Sequence, residues 1–132
     1  MTQDQWTEVD QYFSKSLLGN DAILESALEA SAAAGLPSIA VSPNQGKLLQ
    51  MLAQILGARS ILEIGTLGGY STICLALGML PGGRLLTLDI DHQPAALARA
   101  HPAHPGFAPP AELRLGASRA TLAPSHARVA GP

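Results

Sequence analysis

The sequence has few cysteines, few charges and no long apolar run, and each shortage excludes a class of protein. A single cysteine among 132 residues cannot form an internal disulfide, which favours a cytoplasmic location. Apolar stretches are broken well short of the roughly 20 residues that a membrane span requires, so no membrane partner is expected. Eight basic residues against ten acidic ones argue against nucleic-acid binding. With 47% hydrophobic residues and a net charge of −2, the chain is predicted to fold.

The first half of the chain carries local signals of helices. Two helices are predicted within the first 35 residues, the second capped by Asp21 and stopped at Gly35. A third begins at residues 42–45, SPNQ, where serine and glutamine form a capping box and proline occupies the first turn. Gly57 is expected to end this helix. Its apolar stripe consists of Leu48, Leu49, Met51, Leu52, Ile55 and Leu56.

The second half alternates short apolar runs with helical stretches. Residues 60–64, 84–89 and 112–115 are predicted strands, while residues 70–80 and 94–100 are predicted helices. Strands that alternate with helices are typical of a parallel sheet with right-handed crossover helices. The pattern therefore predicts an α/β architecture.

A glycine-rich turn at residues 65–69, GTLGG, separates the first predicted strand from a helix. Such a turn lets a ligand approach the backbone and the N–H groups of the helix start. Asp89 ends the next strand, where a carboxylate can accept both hydroxyls of a ribose. Together these features predict a cofactor that contains a nucleoside. Glu63 beside the turn would repel a pyrophosphate and attract an ammonium group, which favours S-adenosylmethionine over a dinucleotide.

Residues 61–72, ILEIGTLGGYST, resemble the first motif of S-adenosylmethionine-dependent O-methyltransferases of the catechol and caffeoyl-CoA type. Residues 41–49, VSPNQGKLL, and 83–89, GRLLTLD, resemble two further segments of that family in the same order and spacing. The resemblance implies an α/β fold with an N-terminal helical segment over residues 1–42. Residues 43–132 would form the first half, about three strands, of a Rossmann-like doubly wound parallel sheet.

The resemblance also implies an activity and a binding site. The activity would be methyl transfer from S-adenosylmethionine to a hydroxyl of a small, catechol-like acceptor. Glu63 would hold the methionine end of the cofactor, Ser71 would hydrogen-bond its carboxylate, and Asp89 would bind the ribose. No catalytic residue is assigned. The cofactor-binding positions implied by the resemblance are Val41, Glu63, Gly65, Thr66, Gly69, Ser71, Asp89 and Ser118.

Two departures from the family pattern limit what this chain is expected to do. Residues 116–118 read Gly-Ala-Ser where the family usually carries an Asp-containing or Pro-containing segment near the adenine. Family members also continue to a later strand ending in Asp-Ala-Asp, which carries a ligand of a divalent, Mg-type cation. No aspartate follows Asp91, so that metal site is not expected from this chain. The resemblance implies that the chain corresponds to a C-terminally truncated family member.

Simpler interpretations of the same residues stay open. Glu63 could pair with a neighbouring helix, Ser71 could cap one, and Asp89 could belong to a helix cap. The glycines at 68–69 could serve only a tight turn. Cys74 is interpreted as a buried apolar residue.

Alternatives also stay open for the aromatic residues, the histidines and the function. The aromatic residues of the first helix, Trp6, Tyr12 and Phe13, could pack internally or form a homodimer contact. The four histidines are interpreted as exposed loop residues, because their spacing fits no zinc pattern. The alternative functions are an inactive remnant that binds the cofactor weakly or only dimerises, and a dinucleotide-binding module.

Overall fold

The structure, a computed structural model, describes residues 1–89 and the backbone of residues 111–115. In the described ranges, helices precede and then alternate with strands. Their bounds, in chain order, are α1 (Gln3–Leu17), α2 (Ala22–Ala33), α3 (Pro43–Ile55), β1 (Ser60–Ile64), α4 (Tyr70–Gly78), β2 (Arg84–Asp89) and β3 (Ala111–Leu115). The predicted α/β architecture is therefore confirmed, and β1 and β2 have the predicted bounds.

Helix α4 ends at Gly78, two residues before the predicted end near Leu80. Met79 is already extended, with a ψ angle of 151°. Leu80 precedes Pro81, and the proline ring disfavours a helical conformation of the residue before it. The helix predicted over residues 94–100 lies outside the described residues.

The predicted helix starts and stops are confirmed in atomic detail. Asp21 Oδ1 accepts hydrogen bonds from the N–H groups of Ile23 (3.0 Å) and Leu24 (3.3 Å), which caps α2. Ser42 and Gln45 form the capping box of α3, with Ser42 N donating to Gln45 Oε1 at 2.9 Å. The glycines after α2 and α3 have left-handed φ angles, +71° at residue 35 and +56° at residue 57, as C-terminal caps require.

The described strands form one parallel sheet in the order β1-β2-β3. In its register Glu63 lies opposite Thr87 and Ile64 opposite Leu88. Parallel strands end at the same edge of a sheet, so the turn after β1 and the acid that ends β2 are brought together. The core on one side of this sheet contains Ala76, Met79 and Leu85, with Ala58, Ile61 and Leu75 packed against it.

Helices α3 and α4 pack through their small residues. A Cβ at Gly78 would lie 2.8 Å from Ala53 Cβ and closer still to the carbonyl oxygen of Gln50. A Cβ at Gly46 would lie 2.8 Å from Cys74 Sγ. Four large apolar side chains of α3 are exposed: Leu48, Met51, Leu52 and Ile55.

The edge strand β1 is also incompletely covered. Leu62 is 41% exposed and Ile64 is 60% exposed, although Ile61 on the opposite face packs into the core. Removing apolar surface from water stabilises a folded protein by roughly 25 cal/mol per Å². Within the described part of the chain, β1 and α3 therefore both leave large apolar side chains in contact with water.

Helix α1 turns its aromatic face to solvent. It has no buried residue, and Trp6, Tyr12 and Phe13 are all exposed. The amide of Asn44 donates to the carbonyl oxygen and to Oδ1 of Asp10, both at 3.0 Å, which attaches α1 to the start of α3. None of the helices in the described ranges is both long and apolar enough to cross a membrane.

Replacing Gly78 by alanine is expected to destabilise the protein, because the new methyl group would force α3 and α4 apart. We expect the free energy of unfolding to fall by about 1–3 kcal/mol, as in other overpacked interiors. Gly19→Ala is the matched control, since a Cβ there meets no atom within 4 Å. Urea unfolding followed by circular dichroism measures both variants. Equal midpoints for the two variants would contradict the close packing of these helices.

Candidate cofactor-binding site

The loop at residues 65–69 joins β1 to α4 at the edge where the strands end. Gly65 N donates to the carbonyl oxygen of Leu88 at 2.8 Å, which extends the ladder between β1 and β2 by one bond. Gly65, Leu67 and Gly69 have φ angles of +92°, +45° and +84°. The left-handed region suits glycine but is unfavourable for leucine, so Leu67 needs support from outside the loop.

Asp89 supplies that support from the end of β2. Its Oδ2 accepts hydrogen bonds from the N–H groups of Thr66 (2.9 Å) and Leu67 (3.0 Å). A hydrogen bond to a charged group contributes about 1.5–3 kcal/mol, enough to offset a left-handed leucine that costs about 1–3 kcal/mol. A carboxylate can accept about four hydrogen bonds, so a side chain that holds the loop can also accept ribose hydroxyls.

A pair of buried hydroxyl groups fixes the loop at a second point. Thr66 Oγ1 and Thr87 Oγ1 lie 2.6 Å apart, and the two residues are 1% and 2% exposed. One hydroxyl donates and the other accepts, so both of these buried groups have a hydrogen-bond partner. The start of the loop is thus tied to β2 by both side chain and backbone.

Glu63 is buried beneath the loop and is held by the first turn of α4. Its Oε1 accepts a hydrogen bond from Ser71 Oγ at 2.6 Å, and its Oε2 accepts one from Thr72 Oγ1 at 2.5 Å. The interpretation that Glu63 pairs with a neighbouring helix therefore describes this structure. Ser71 does not cap α4, whose N-cap is Gly69 with no side-chain hydrogen bond.

Helix α2 closes over the middle of the loop at Gly68. A Cβ at this position would lie 2.9 Å from Ser31 Cβ and would overlap the Ser31 hydroxyl, which donates to the carbonyl oxygen of Ala27 at 2.6 Å. Only glycine leaves room for this approach. Gly69 serves the turn, with its N–H donating to the carbonyl oxygen of Thr66 at 2.9 Å.

A cavity of about 100 Å³ lies between this loop and the segment that precedes α3. A Cβ built at Gly65 meets no atom within 4 Å, so the backbone here is open to a ligand. Four of the predicted cofactor-binding residues line the cavity, while Glu63 and Asp89 flank its loop. The lining includes Ile39, Val41, Gly65, Thr66, Tyr70 and Ser71.

Tyr70 lines both this cavity and a wider groove of about 560 Å³ between α1 and α2. The pKa of the Tyr70 hydroxyl is raised to about 12, mainly by burial and to a smaller extent by the nearby Cys74 and Asp21. Burial is also the largest cause that raises the pKa of the Cys74 thiol to about 11. Cys74 therefore stays protonated at neutral pH, as its interpretation as a buried apolar residue requires.

Several groups that the sequence analysis singled out lie beyond the part of the chain that the structure describes. Ser118, Asp91 and the four histidines lie outside the described residues. Across residues 1–89, no three carboxylate, histidine or cysteine side chains converge to hold a metal ion. The described residues thus do not form a site that fits the divalent cation of the family.

Thr72, Thr87 and the close approach at Gly68 were not predicted from the sequence. Thr72 follows Ser71 directly, and its hydroxyl reaches Glu63 because both sit where β1 meets the first turn of α4. Thr87 acts through the sheet register, which local sequence does not specify. A hydroxyl-bearing residue two positions before the strand-end acid is the one signal that could have indicated it.

Thr87→Val is expected to destabilise the protein, because it leaves the buried Thr66 hydroxyl without its partner. We expect a loss of about 1–3 kcal/mol in the free energy of unfolding. The double variant Thr66→Val, Thr87→Val removes both hydroxyls and should recover at least half of that loss. Chemical denaturation of the wild type, Thr66→Val, Thr87→Val and the double variant measures the coupling between the two hydroxyls. Additive losses in the double variant would contradict it.

Comparison with known proteins identifies the family. The profile of the O-methyltransferase family matches residues 14–126. The catechol O-methyltransferase of Niastella koreensis is 44% identical over 116 residues, which are 88% of this chain and 52% of that protein. The chain spans about half the length of the curated relatives it matches.

Solved structures of O-methyltransferases share the fold. The O-methyltransferase from Bacillus cereus in complex with SAH has a TM-score of 0.87 and 48% identity, covering 94% of this chain and 56% of that one. TomG, the O-methyltransferase from Streptomyces achromogenes involved in tomaymycin synthesis, was solved in complex with SAM. It has a TM-score of 0.84 and 43% identity, covering 94% of this chain and 56% of that one. The Rossmann-like fold and the resemblance seen in residues 61–72 are thereby confirmed, and the chain belongs to the O-methyltransferase family.

Proposed function

We propose that this chain binds S-adenosylmethionine at the loop of residues 65–69 and serves methyl transfer to a hydroxyl of a small aromatic, catechol-like acceptor. The observation that carries this proposal is the position of two carboxylates on either side of one open loop. Glu63 lies beneath the loop and accepts a hydrogen bond from Ser71, which lines the cavity. Asp89 holds the loop from the end of β2. Relatives of this chain carry the name catechol O-methyltransferase, and similar structures contain SAM or SAH.

The charges of the site suit the two ends of this cofactor. Glu63 is a buried carboxylate that is hydrogen-bonded to the cavity-lining Ser71, and it would attract the ammonium of the methionine end. Asp89 would accept the ribose hydroxyls, while Ser71 would donate to the cofactor carboxylate. A dinucleotide is less suitable, because its pyrophosphate would approach the buried Glu63.

The cavity wall provides the remaining contacts. Gly65 has no side chain, so the cofactor could lie directly on its backbone. Val41 would border the methionine side, and Thr66 lines the same cavity. When bound, the cofactor supplies an electrophilic methyl group on its sulfonium. The part assigned to this chain is to hold and orient that group.

Other features of the proposal come from the sequence and the family. The resemblance to the family implies a divalent, Mg-type cation, and the described residues do not form a site that would hold it. A homodimer and a cytoplasmic location stay predictions. The exposed aromatic face of α1, with Trp6, Tyr12 and Phe13, supports self-association.

Isothermal titration calorimetry tests the binding site. S-adenosylhomocysteine is expected to bind the wild-type chain, and Glu63→Gln and Asp89→Asn should each weaken binding by about tenfold or more, because each removes a charge-assisted contact. Glu29→Gln removes an equivalent charge from an exposed position on α2 and is the matched control.

Two results of this titration would contradict the proposal. One is equal binding by the two site variants, the control and the wild type. The other is tighter binding of NAD than of S-adenosylhomocysteine, which would favour the dinucleotide alternative. Circular dichroism of each variant establishes that it is folded before titration.

A further inference from the structure

The carboxylate of Glu63 is held by two hydroxyls that differ in their surroundings. Ser71, which donates to Oε1, is half-buried and lines the cavity. Thr72, which donates to Oε2, is buried and does not line it. One hydroxyl therefore faces the ligand side, and the other faces the protein interior.

A count of protons separates the roles of these two hydroxyls. A serine hydroxyl has one proton to donate. In this structure Ser71 donates that proton to Glu63, so it cannot simultaneously donate it to a cofactor carboxylate. If the Ser71 hydroxyl turns to the cofactor, Glu63 Oε1 loses its hydrogen-bond donor and can accept a hydrogen bond from the cofactor ammonium. The bond from Thr72 to Oε2 does not take part in this exchange.

We propose that Thr72 is a positioning residue that keeps Glu63 directed at the ammonium of S-adenosylmethionine. It would do so while the Ser71 hydroxyl stops donating to Glu63 and donates to the cofactor carboxylate. This inference rests on the proposed function and adds a residue to it. Thr72 would not touch the cofactor. It would act by fixing the second oxygen of the carboxylate, since a glutamate held at one atom only can rotate about its terminal bond.

The inference predicts a loss that depends on the ligand. S-adenosylhomocysteine has the amino-acid end that Glu63 would bind, whereas 5′-methylthioadenosine shares the nucleoside and thioether and lacks that end. Thr72→Val keeps the shape of the side chain and removes its hydroxyl. We expect this variant to weaken the binding of S-adenosylhomocysteine by about tenfold, which is the effect of one charge-assisted hydrogen bond. The affinity for 5′-methylthioadenosine should stay within about twofold of that of the wild type.

Thr72→Ser is the matched control, because it restores the hydroxyl and should bind both ligands like the wild type. Calorimetric titration of the full chain with each ligand makes these measurements. If Thr72→Val does not fold, Thr72→Ala is titrated in its place with the same expectation.

The outcomes separate this inference from the proposed function. A loss of affinity that is confined to S-adenosylhomocysteine in Thr72→Val, and is absent in Thr72→Ser, supports the positioning role. Equal losses for both ligands, or no loss for either, overturn it while the proposed function stands. If the wild-type chain binds neither ligand, the proposed function is wrong and the inference falls with it.

Discussion

The hydrogen bonds from Thr66 N and Leu67 N to Asp89 Oδ2 are the interaction on which the site depends. They join the turn after β1 to the last residue of β2, two points that are distant in sequence and adjacent only because the strands are parallel. They also hold Leu67 in a left-handed conformation that a leucine rarely adopts. Without them the loop would lose the shape that opens its backbone at Gly65.

Close packing of small residues sets the position of the helix that follows this loop. Gly78 and Gly46 let α4 approach α3, and Gly68 lets α2 approach the loop itself. Glu63 then ties the first turn of α4 to β1 through two hydroxyls. The apolar residues left exposed on α3 and β1 lie outside these contacts, in a chain that spans about half the length of its relatives.

Local signals in the sequence predicted most of the fold. Asp21, Ser42, Gly35 and Gly57 mark helix ends through hydrogen bonds or backbone angles that involve near neighbours in the chain, so the prediction needed no tertiary information. The site was predicted less completely. That Ser71 donates to Glu63, and that Thr87 pairs with Thr66, depends on how strands and helices are placed in three dimensions, and spacing along the chain does not specify that placement.

A two-dimensional ¹H–¹⁵N NMR titration with S-adenosylhomocysteine tests most directly whether the loop between β1 and α4 binds the cofactor. Amide signals depend strongly on hydrogen bonding and on nearby ligands. We predict saturable shifts for Gly65, Thr66 and Leu67, whose amides lie at the cavity or bind Asp89. Shifts confined to the groove between α1 and α2, or none at a saturating concentration, would contradict the account.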